Sequence, residues 1–350
     1  MCDPDLPLSR YRPVSRLRVA VHEIDRARVP AVDAHIHLGR WLTDDGDWMV
    51  KDVPALTGLM DELNLRGMVN LDGRWGRELA ENLERYDAAH PGRFATFCHV
   101  DWSMAAEPGF GERLAGQLRR NVAEGAAGLK VWKDVGLRVR DDRGELLMLD
   151  DPRLDPLWAA VGEAGIPIAL HTADPVAFFE PADERNERYE LLAARPDWNF
   201  SGPGFPPFER LMEAMESMIA RHPATTVIGV HAGCWPENLG FASRLLDTYP
   251  NFHIDIAARI AELGRQPRAT RALMLRHPGR VLFGTDEIPP DREIYRTHFR
   301  FMETDDEAFA HSRDDPPLMG RWTISGLDLP LEVLERVYAG NALDLVPRLA

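Results

Sequence analysis

The feature that most constrains this sequence is a repeated alternation of short apolar runs with longer amphipathic segments. Runs rich in β-branched residues occur at 31–36, 67–71, 93–99, 128–132, 166–171, 226–231, 252–257 and 281–286. They are almost continuously apolar, which is typical of strands in a parallel sheet with both faces covered. Helices are predicted between and after these strands, at 54–65, 77–90, 110–124, 153–164, 208–221, 237–248, 267–276 and 331–339.

Eight such alternations predict a single (β/α)8 TIM barrel, a fold of about 250 residues plus insertions. An open doubly wound sheet is the alternative, but no glycine-rich phosphate fingerprint follows the first strand. We therefore predict an N-terminal extension over 1–30 and a barrel over 31–350. Surplus length is expected at 138–152, 172–207 and 287–329, all on the face where barrel active sites lie.

The composition disfavours several classes of partner. The formal net charge is -15, and such a surface repels nucleic-acid phosphate and anionic lipid. No apolar stretch approaches a membrane-spanning length, and no signal peptide is expected. The three cysteines, Cys2, Cys98 and Cys234, are widely spaced and do not suggest a disulfide framework. We expect a cytoplasmic protein that acts on a small molecule, with a homodimer as the commonest assembly.

Two histidines, His35 and His37, close the first predicted strand. Residues i and i+2 of a strand point to the same face, so both imidazoles are expected to point into the barrel mouth. Alone, the pair predicts little, because hydrogen-bonded histidines are common. However, His171, His231 and Asp286 end the fifth, sixth and eighth predicted strands. Since these strand ends converge, the set favours a divalent-metal site with a position left open for water.

These residues occur within motifs that resemble the amidohydrolase superfamily, specifically its amidohydrolase-2 branch. The motifs are VDAHIHLG, GLKVWK, ALHTADP, VIGVHAG, VLFGTD and YAGNALDLVPRL, and the resemblance extends from about residue 31 to the end. By position, His35 and His37 resemble the first two metal ligands of that superfamily, and His171 resembles the third. Asp286 resembles the carboxylate that binds metal and accepts a proton from the attacking water. His231 resembles either a ligand of a second ion or the group that polarises the substrate or orients water.

Lysine is rare in this chain, which contains only Lys51, Lys130 and Lys133 among 41 basic residues. In two-metal members of the resembled superfamily a lysine on the fourth strand is carboxylated and bridges the ions, whereas many amidohydrolase-2 members use one metal without it. Arginine cannot form a carbamate, whereas a buried lysine changes its pKa readily. Lys130 is therefore a candidate bridging ligand. Pairing of these lysines with a nearby carboxylate such as Asp134 is the alternative.

Four residues at strand ends or in the following loops are candidates to contact substrate: Trp132, Lys133, Asp174 and Arg259. Arg259 is expected either to clamp a substrate carboxylate through two hydrogen bonds or to pair with Asp255. The ligand types predict one or two divalent ions, with zinc first and manganese, iron or cobalt as alternatives.

The resemblance implies a metal-dependent hydrolase that attacks an amide, lactone or ester bond of a small molecule. Non-oxidative decarboxylation of an unsaturated or aromatic carboxylic acid is the alternative, and Lys130 favours hydrolysis. A third hypothesis is an inactive barrel that serves as a scaffold. It is disfavoured because every expected ligand position is filled.

Overall fold

The computed structural model describes residues 5–7, 10–11 and 13–350. Eight parallel strands lie in chain order in one sheet: β1 Ala31–Ile36, β2 Leu65–Asn70, β3 Phe94–Cys98, β4 Gly128–Val131, β5 Ile168–Leu170, β6 Val227–Gly229, β7 Phe252–Asp255 and β8 Val281–Leu282. The Ala34 N–H donates to the Phe283 carbonyl at 2.9 Å, and the Asp286 N–H donates to the His35 carbonyl at 2.8 Å. These bonds join β1 to the segment after β8. The sheet is therefore a nearly closed barrel, and the predicted (β/α)8 fold is confirmed.

Helices surround the strands at Val53–Leu63, Arg77–Asn82, Phe110–Glu124, Asp155–Ala164, Tyr189–Ala194, Phe208–Arg221, Leu239–Thr248, Ile260–Leu263, Pro267–Arg276, Arg292–Glu303, Leu331–Glu335 and Asn341–Leu345. Two π-helical segments, Leu83–Ala88 and Arg336–Gly340, extend the helices before them. Within the described chain, every helix is too short or too polar to cross a lipid bilayer.

Local sequence determines the limits of the first of these helices, Val53–Leu63. The Asp52 side chain caps its start by accepting a hydrogen bond from the Ala55 N–H at 2.9 Å. The helix stops at Asn64, which adopts the left-handed conformation with φ 61°. Its apolar residues Val53, Leu56, Met60 and Leu63 are buried. Burying each such side chain contributes about 1.5–3 kcal/mol, so packing against the barrel stabilises this helix more than its cap does.

Seven of the eight predicted strands run past the observed strand ends, and three of these overruns include candidate ligands. β5, β6 and β8 end before His171, His231 and Asp286, because the chain turns away from the sheet at these points. His231 and Asp286 both have φ 59°, which is incompatible with a strand. The candidate ligands therefore lie on turns directly after the strand tips, still at the mouth of the barrel.

The long segments after the strands carry structure of their own. Residues 139–147 form a hairpin, in which the Leu147 N–H donates to the Val139 carbonyl at 2.9 Å. The segment 172–207 contains the short helix Tyr189–Ala194. The segment 287–329 contains the helix Arg292–Glu303, which the sequence analysis did not predict. Cys98 and Cys234 are buried free thiols, whereas Cys2 lies outside the described residues.

Candidate metal centre

Asp286 meets the two histidines of β1 at the centre of the barrel mouth. Its Oδ1 lies 3.2 Å from Nε2 of His37 and 3.5 Å from Nε2 of His35. One ligand atom from each residue lies within 4.8 Å of the other two, a spacing that suits a single metal ion. Gly284 permits this approach, because a Cβ there would lie 2.9 Å from the Cβ of His35.

A carboxylate holds the other ring nitrogen of each histidine. Nδ1 of His35 donates to Asp255 at 2.7 Å, and Nδ1 of His37 donates to Asp72 at 2.5 Å. Asp255 also accepts the backbone N–H of His231 at 2.7 Å. Such carboxylates fix the tautomer, so the lone pair of each Nε2 points into the site. This arrangement is typical of histidines that bind metal.

The charges at this point favour a cation. Burial raises the pKa of Asp286, but His35 and His37 outweigh burial and bring the pKa well below its usual range, so Asp286 is ionised. Burial lowers the pKa of His37, but Asp72 and Asp286 outweigh it and raise the pKa to about 9. The two imidazoles thus face three carboxylates, which belong to Asp72, Asp255 and Asp286.

His171 and His231 form a second pair of imidazoles, with ring centroids 4.5 Å apart. Nδ1 of His231 donates to the Ala257 carbonyl at 2.8 Å, which leaves its Nε2 as a lone-pair donor. Within the described chain, neither ring nitrogen of His171 makes a well-aligned hydrogen bond, although its Nε2 lies 3.4 Å from Oδ1 of Asp174, and Nε2 of His37 is likewise unbonded. Burial lowers the pKa of His171 to about 3 and that of His231 well below its usual value, so both rings are neutral.

These unpartnered nitrogens test whether a metal fits the site. A buried polar atom without a partner costs about 1–3 kcal/mol, and imidazole binds metal in its neutral form, so an ion held by His37 would displace the proton that Asp72 and Asp286 otherwise keep on that ring. The three unbonded nitrogens of His37 and His171 therefore fit a divalent cation better than they fit an empty polar cavity.

His231 sits on a turn of left-handed helix. Residues His231, Ala232, Gly233 and Cys234 all have positive φ, between 59° and 71°, and the Cys234 N–H closes the turn on the Val230 carbonyl at 2.9 Å. The left-handed conformation costs about 1–2 kcal/mol for each residue with a side chain. Strain of this kind is commonly stored at functional sites, and here it positions the His231 ring over the mouth.

Lys130 is fully buried among these groups. Its Nζ lies 3.4 Å from Nε2 of His35 and 5.5 Å from the ring centroid of Trp132. Burial lowers the pKa of Lys130, although Asp286 and Asp255 oppose that shift. Lys130 thus contacts the group of candidate ligands through His35.

The other candidate residues lie around the rim. Trp132 contacts the rings of His37 and His171 edge-on, at 5.8 and 5.2 Å between centroids. Lys133 forms a buried ion pair with Asp174. Pairing with Asp134 was therefore a wrong expectation, because Asp134 turns outward and binds Arg138 at 3.0 Å.

Arg259 is buried at the same rim. Its NH2 group lies 3.7 Å from Asp174, and its Nε has no hydrogen-bond partner among the described residues. The expected alternative pairing with Asp255 is wrong, because Asp255 is occupied by His35 and the His231 backbone.

Sequence reasoning missed two positioning carboxylates. Asp72 was not considered, although it directly follows the second predicted strand. Asp255, which ends β7, was considered as a partner for Arg259. Both carboxylates lie at strand ends, as His171 does, so the sequence pattern that identified His171 could also have identified Asp72 and Asp255. Asp33 has a comparable role, since it accepts hydrogen bonds from Thr285 Oγ1 at 2.6 Å and from Tyr295 at 2.7 Å.

A parallel barrel with histidines and a carboxylate at its strand ends defines the class of metal-dependent barrel enzymes. The profile of the amidohydrolase family matches residues 32–348, and the chain belongs to that family. It is accordingly a metal-dependent enzyme of the amidohydrolase superfamily.

Solved structures share the fold at low sequence identity. An uncharacterised TIM-barrel protein from Bordetella bronchiseptica is 15% identical with a TM-score of 0.57, covering 92% of this chain and 99% of that one. A 2,6-dihydroxybenzoate decarboxylase bound to 2,6-dihydroxybenzoate is 18% identical with a TM-score of 0.56, covering 91% and 99%. A dihydroxybenzoic acid decarboxylase from Polaromonas, with manganese and 2-nitroresorcinol, is 16% identical with a TM-score of 0.58, covering 91% and 97%. No curated protein matches the chain.

Proposed function

We propose that this protein is a metal-dependent hydrolase that activates water for attack on a C–N or C–O bond of a small molecule. The observation that carries the proposal is the fully buried Lys130, 3.4 Å from His35. A protonated lysine there would repel a divalent cation. A neutral amine instead adds to carbon dioxide, forming an N–C bond and losing one proton, and the product is an anionic carbamate. Arginine cannot do this.

The ligands divide into two groups. His35, His37 and Asp286 would hold one ion, and His171 and His231 a second, with carboxylated Lys130 shared between them. When bound, such ions acidify water and polarise a carbonyl oxygen. Zinc suits nitrogen and oxygen ligands, and manganese, iron or cobalt also suit them.

The chain's own residues then carry the proton and position the substrate. Asp286 is the most accessible of the five strand-end candidates, with its side chain 21% exposed, and it accepts the proton of the attacking water. As the C–N or C–O bond breaks, Asp286 returns that proton to the leaving group, so no net proton is consumed. Trp132 limits the access of water, and Lys133 and Arg259 orient the substrate.

Decarboxylation of an aromatic carboxylic acid is the second candidate. The observation in its favour is that two buried cations, Lys133 and Arg259, both lie against Asp174, with Lys133 Nζ 5.9 Å from the ring centroid of Trp132. A cation binds a carboxylate, and an indole packs against an aromatic ring. In that reaction the carboxylate leaves as carbon dioxide, and a proton from the site replaces it on the ring.

Metal analysis of the native protein tests the proposal. We expect about two transition-metal ions per chain in native protein and one or none in Lys130→Ala. Lys51→Ala is the matched control, because the Lys51 side chain is 72% exposed and distant from the histidines. If the protein is incubated with carbon-13-labelled bicarbonate, a carbon-13 signal from a carboxyl group on Lys130 would support the carbamate. One ion in both proteins would contradict a bridging Lys130, and carbon dioxide release from aromatic acids would favour decarboxylation.

A further inference from the structure

Arg74 is a half-buried cation at the mouth of the barrel, in the loop that follows β2. Every other buried or half-buried arginine of the described chain forms an ion pair or a hydrogen bond through its guanidinium group. Within the same residues, the guanidinium of Arg74 has no such partner. A charged group that is partly removed from water is costly unless a polar group binds it. Arg74 is therefore a cation that has room for a ligand.

Two indoles hold the guanidinium of Arg74 in place. Its central carbon lies 4.2 Å from the ring centroid of Trp75 and 5.0 Å from that of Trp41. Contact with aromatic faces leaves free the N–H donors at the edge of the guanidinium plane. Burial lowers the pKa of Arg74, but arginine stays charged in proteins. The side chain thus presents a fixed positive charge and unused donors.

The carboxylates around Arg74 do not neutralise it by contact. Glu78, Asp72 and Asp101 are the acidic residues whose charges act on it. Within the described residues, each of these carboxylates lies more than 4 Å from the guanidinium nitrogens. Asp72 is bound to His37 instead, and Asp101 caps the short helix that follows it. An anion that enters from solvent would therefore not have to displace an existing ion pair.

The backbone fixes the position from which Arg74 projects. Arg74 has φ 55°, a conformation that residues with a side chain rarely adopt. Gly73 directly before it is packed tightly, since a Cβ there would lie 2.4 Å from the Phe97 carbonyl oxygen. The Arg74 carbonyl accepts the His99 N–H at 2.8 Å. Backbone strain of this kind is commonly found at functional sites.

An aromatic wall connects Arg74 to the candidate metal centre. The ring centroids of Trp41 and Trp132 lie 5.1 Å apart, and Trp132 contacts the ring of His37 edge-on. The Trp41 indole N–H donates to Asp72, the same carboxylate that holds His37. A flat molecule that packs along the two indoles would extend from the histidines toward Arg74.

We propose that Arg74 binds a carboxylate of the substrate, at the end remote from the bond that is cleaved at the metal centre. This inference rests on the proposed function and specifies its substrate class, a flat acid with an amide, lactone or ester at its other end. Lys133 and Arg259 share the carboxylate of Asp174, whereas Arg74 keeps its full charge. The planar fork of a guanidinium also matches the two oxygens of a carboxylate.

Calorimetric titration of the purified, metal-containing protein tests the inference with simple aromatic acids. Two diacids, terephthalate and biphenyl para,para′-dicarboxylate, are each compared with their monoacids, benzoate and biphenyl para-carboxylate. A monoacid binds at the metal centre alone, whereas the second carboxylate of a diacid of suitable length reaches Arg74. We expect at least one diacid to bind about 10-fold or more tightly than its monoacid, because a hydrogen bond to a charged group contributes at least that much.

Arg74→Gln should abolish the preference for the diacid and leave the affinity for the monoacid unchanged. Arg77→Gln is the matched control and should keep the preference, because Arg77 is exposed and pairs only with Glu81. If native protein binds neither diacid more tightly than its monoacid, or if Arg74→Gln weakens both acids equally, the inference is overturned. The metal content of the same samples reports separately on the proposed function, so the Arg74 contact would fail with the metal still bound.

Discussion

Asp72 accepts a hydrogen bond from Nδ1 of His37 at 2.5 Å, and the opposite nitrogen of that ring lies 3.2 Å from Asp286. The carboxylate of Asp72 is fully buried and also accepts the Trp41 indole N–H at 2.5 Å. It therefore determines the tautomer and the orientation of a candidate metal ligand without being within reach of substrate.

Changing Asp72 to asparagine should weaken metal binding by about 10–100-fold, the usual effect of removing a carboxylate behind a metal-binding histidine. Competition with a coloured chelator measures this affinity. Asp87→Asn is the matched control, because Asp87 also accepts hydrogen bonds inside the fold, from Thr96 at 2.6 and 3.0 Å, but lies away from the histidines. Equal affinities in native and Asp72→Asn protein would refute this role.

Gly284 lets the segment after β8 approach His35. An alanine there would place its Cβ 2.9 Å from the Cβ of His35, so one of the two segments must shift. We expect Gly284→Ala to destabilise the fold by about 1–3 kcal/mol and to lower metal affinity. Gly279→Ala is the control, since a Cβ at Gly279 meets no atom within 4 Å. If Gly284→Ala and Gly279→Ala have the same free energy of unfolding and the same metal affinity, the close approach of Gly284 to His35 is unimportant.

Asp33 connects β1 to the end of β8. It accepts hydrogen bonds from Thr285, Tyr295 and the His35 N–H, and burial nevertheless raises its pKa to about 6. Asp33→Asn retains the shape but replaces one acceptor oxygen with an N–H donor, so we expect a loss of about 1–3 kcal/mol in the free energy of unfolding. Asp47→Asn, at an exposed position, should change it little. An unaltered unfolding midpoint in Asp33→Asn would contradict the stabilising role of Asp33 between β1 and the end of β8.

His298 gives the fold a pH dependence. Burial lowers its pKa to about 4, against about 6.5 in an unfolded chain. The unfolded chain therefore binds more protons between these values, and the free energy of unfolding falls as the pH decreases from about 6.5 to 4. A shift of this size corresponds to about 3 kcal/mol at most.

His298→Leu should reduce the slope of this part of the stability profile, measured by urea unfolding at a series of pH values, while His253, whose pKa burial also lowers to about 4, keeps part of it. His90→Leu, at a half-buried helix end, is the histidine control. A slope between pH 6.5 and 4 that is unchanged in His298→Leu would mean that another group causes the dependence.

The barrel could be predicted from sequence because strands covered on both faces must be almost wholly apolar, and β1 is buried throughout. The ligands could be predicted because a polar side chain at the end of such a strand has few structural reasons to be there. The helix Arg292–Glu303 was missed because its charged residues resemble a solvated loop. Its buried face, Tyr295, His298, Phe299, Phe301 and Met302, is nevertheless spaced as a helix.

Other features depend on contacts that no local pattern encodes. The turn at His231 is left-handed, although all of its residues except Gly233 are types that disfavour positive φ. The ion pair of Lys133 with Asp174 joins the ends of two different strands, so proximity in sequence wrongly suggested Asp134. Asp72 acts on His37 across neighbouring strands in the same way.

The central claim is that residues distant in sequence bind a shared divalent cation. Elemental analysis of native protein, beside His35→Ala, His37→Ala and His171→Ala variants that remain folded by circular dichroism, tests it most directly. We predict a transition metal at about two equivalents per chain in native protein and a clear loss in each variant. Native protein without such a metal, or variants that retain the full content, would contradict the account.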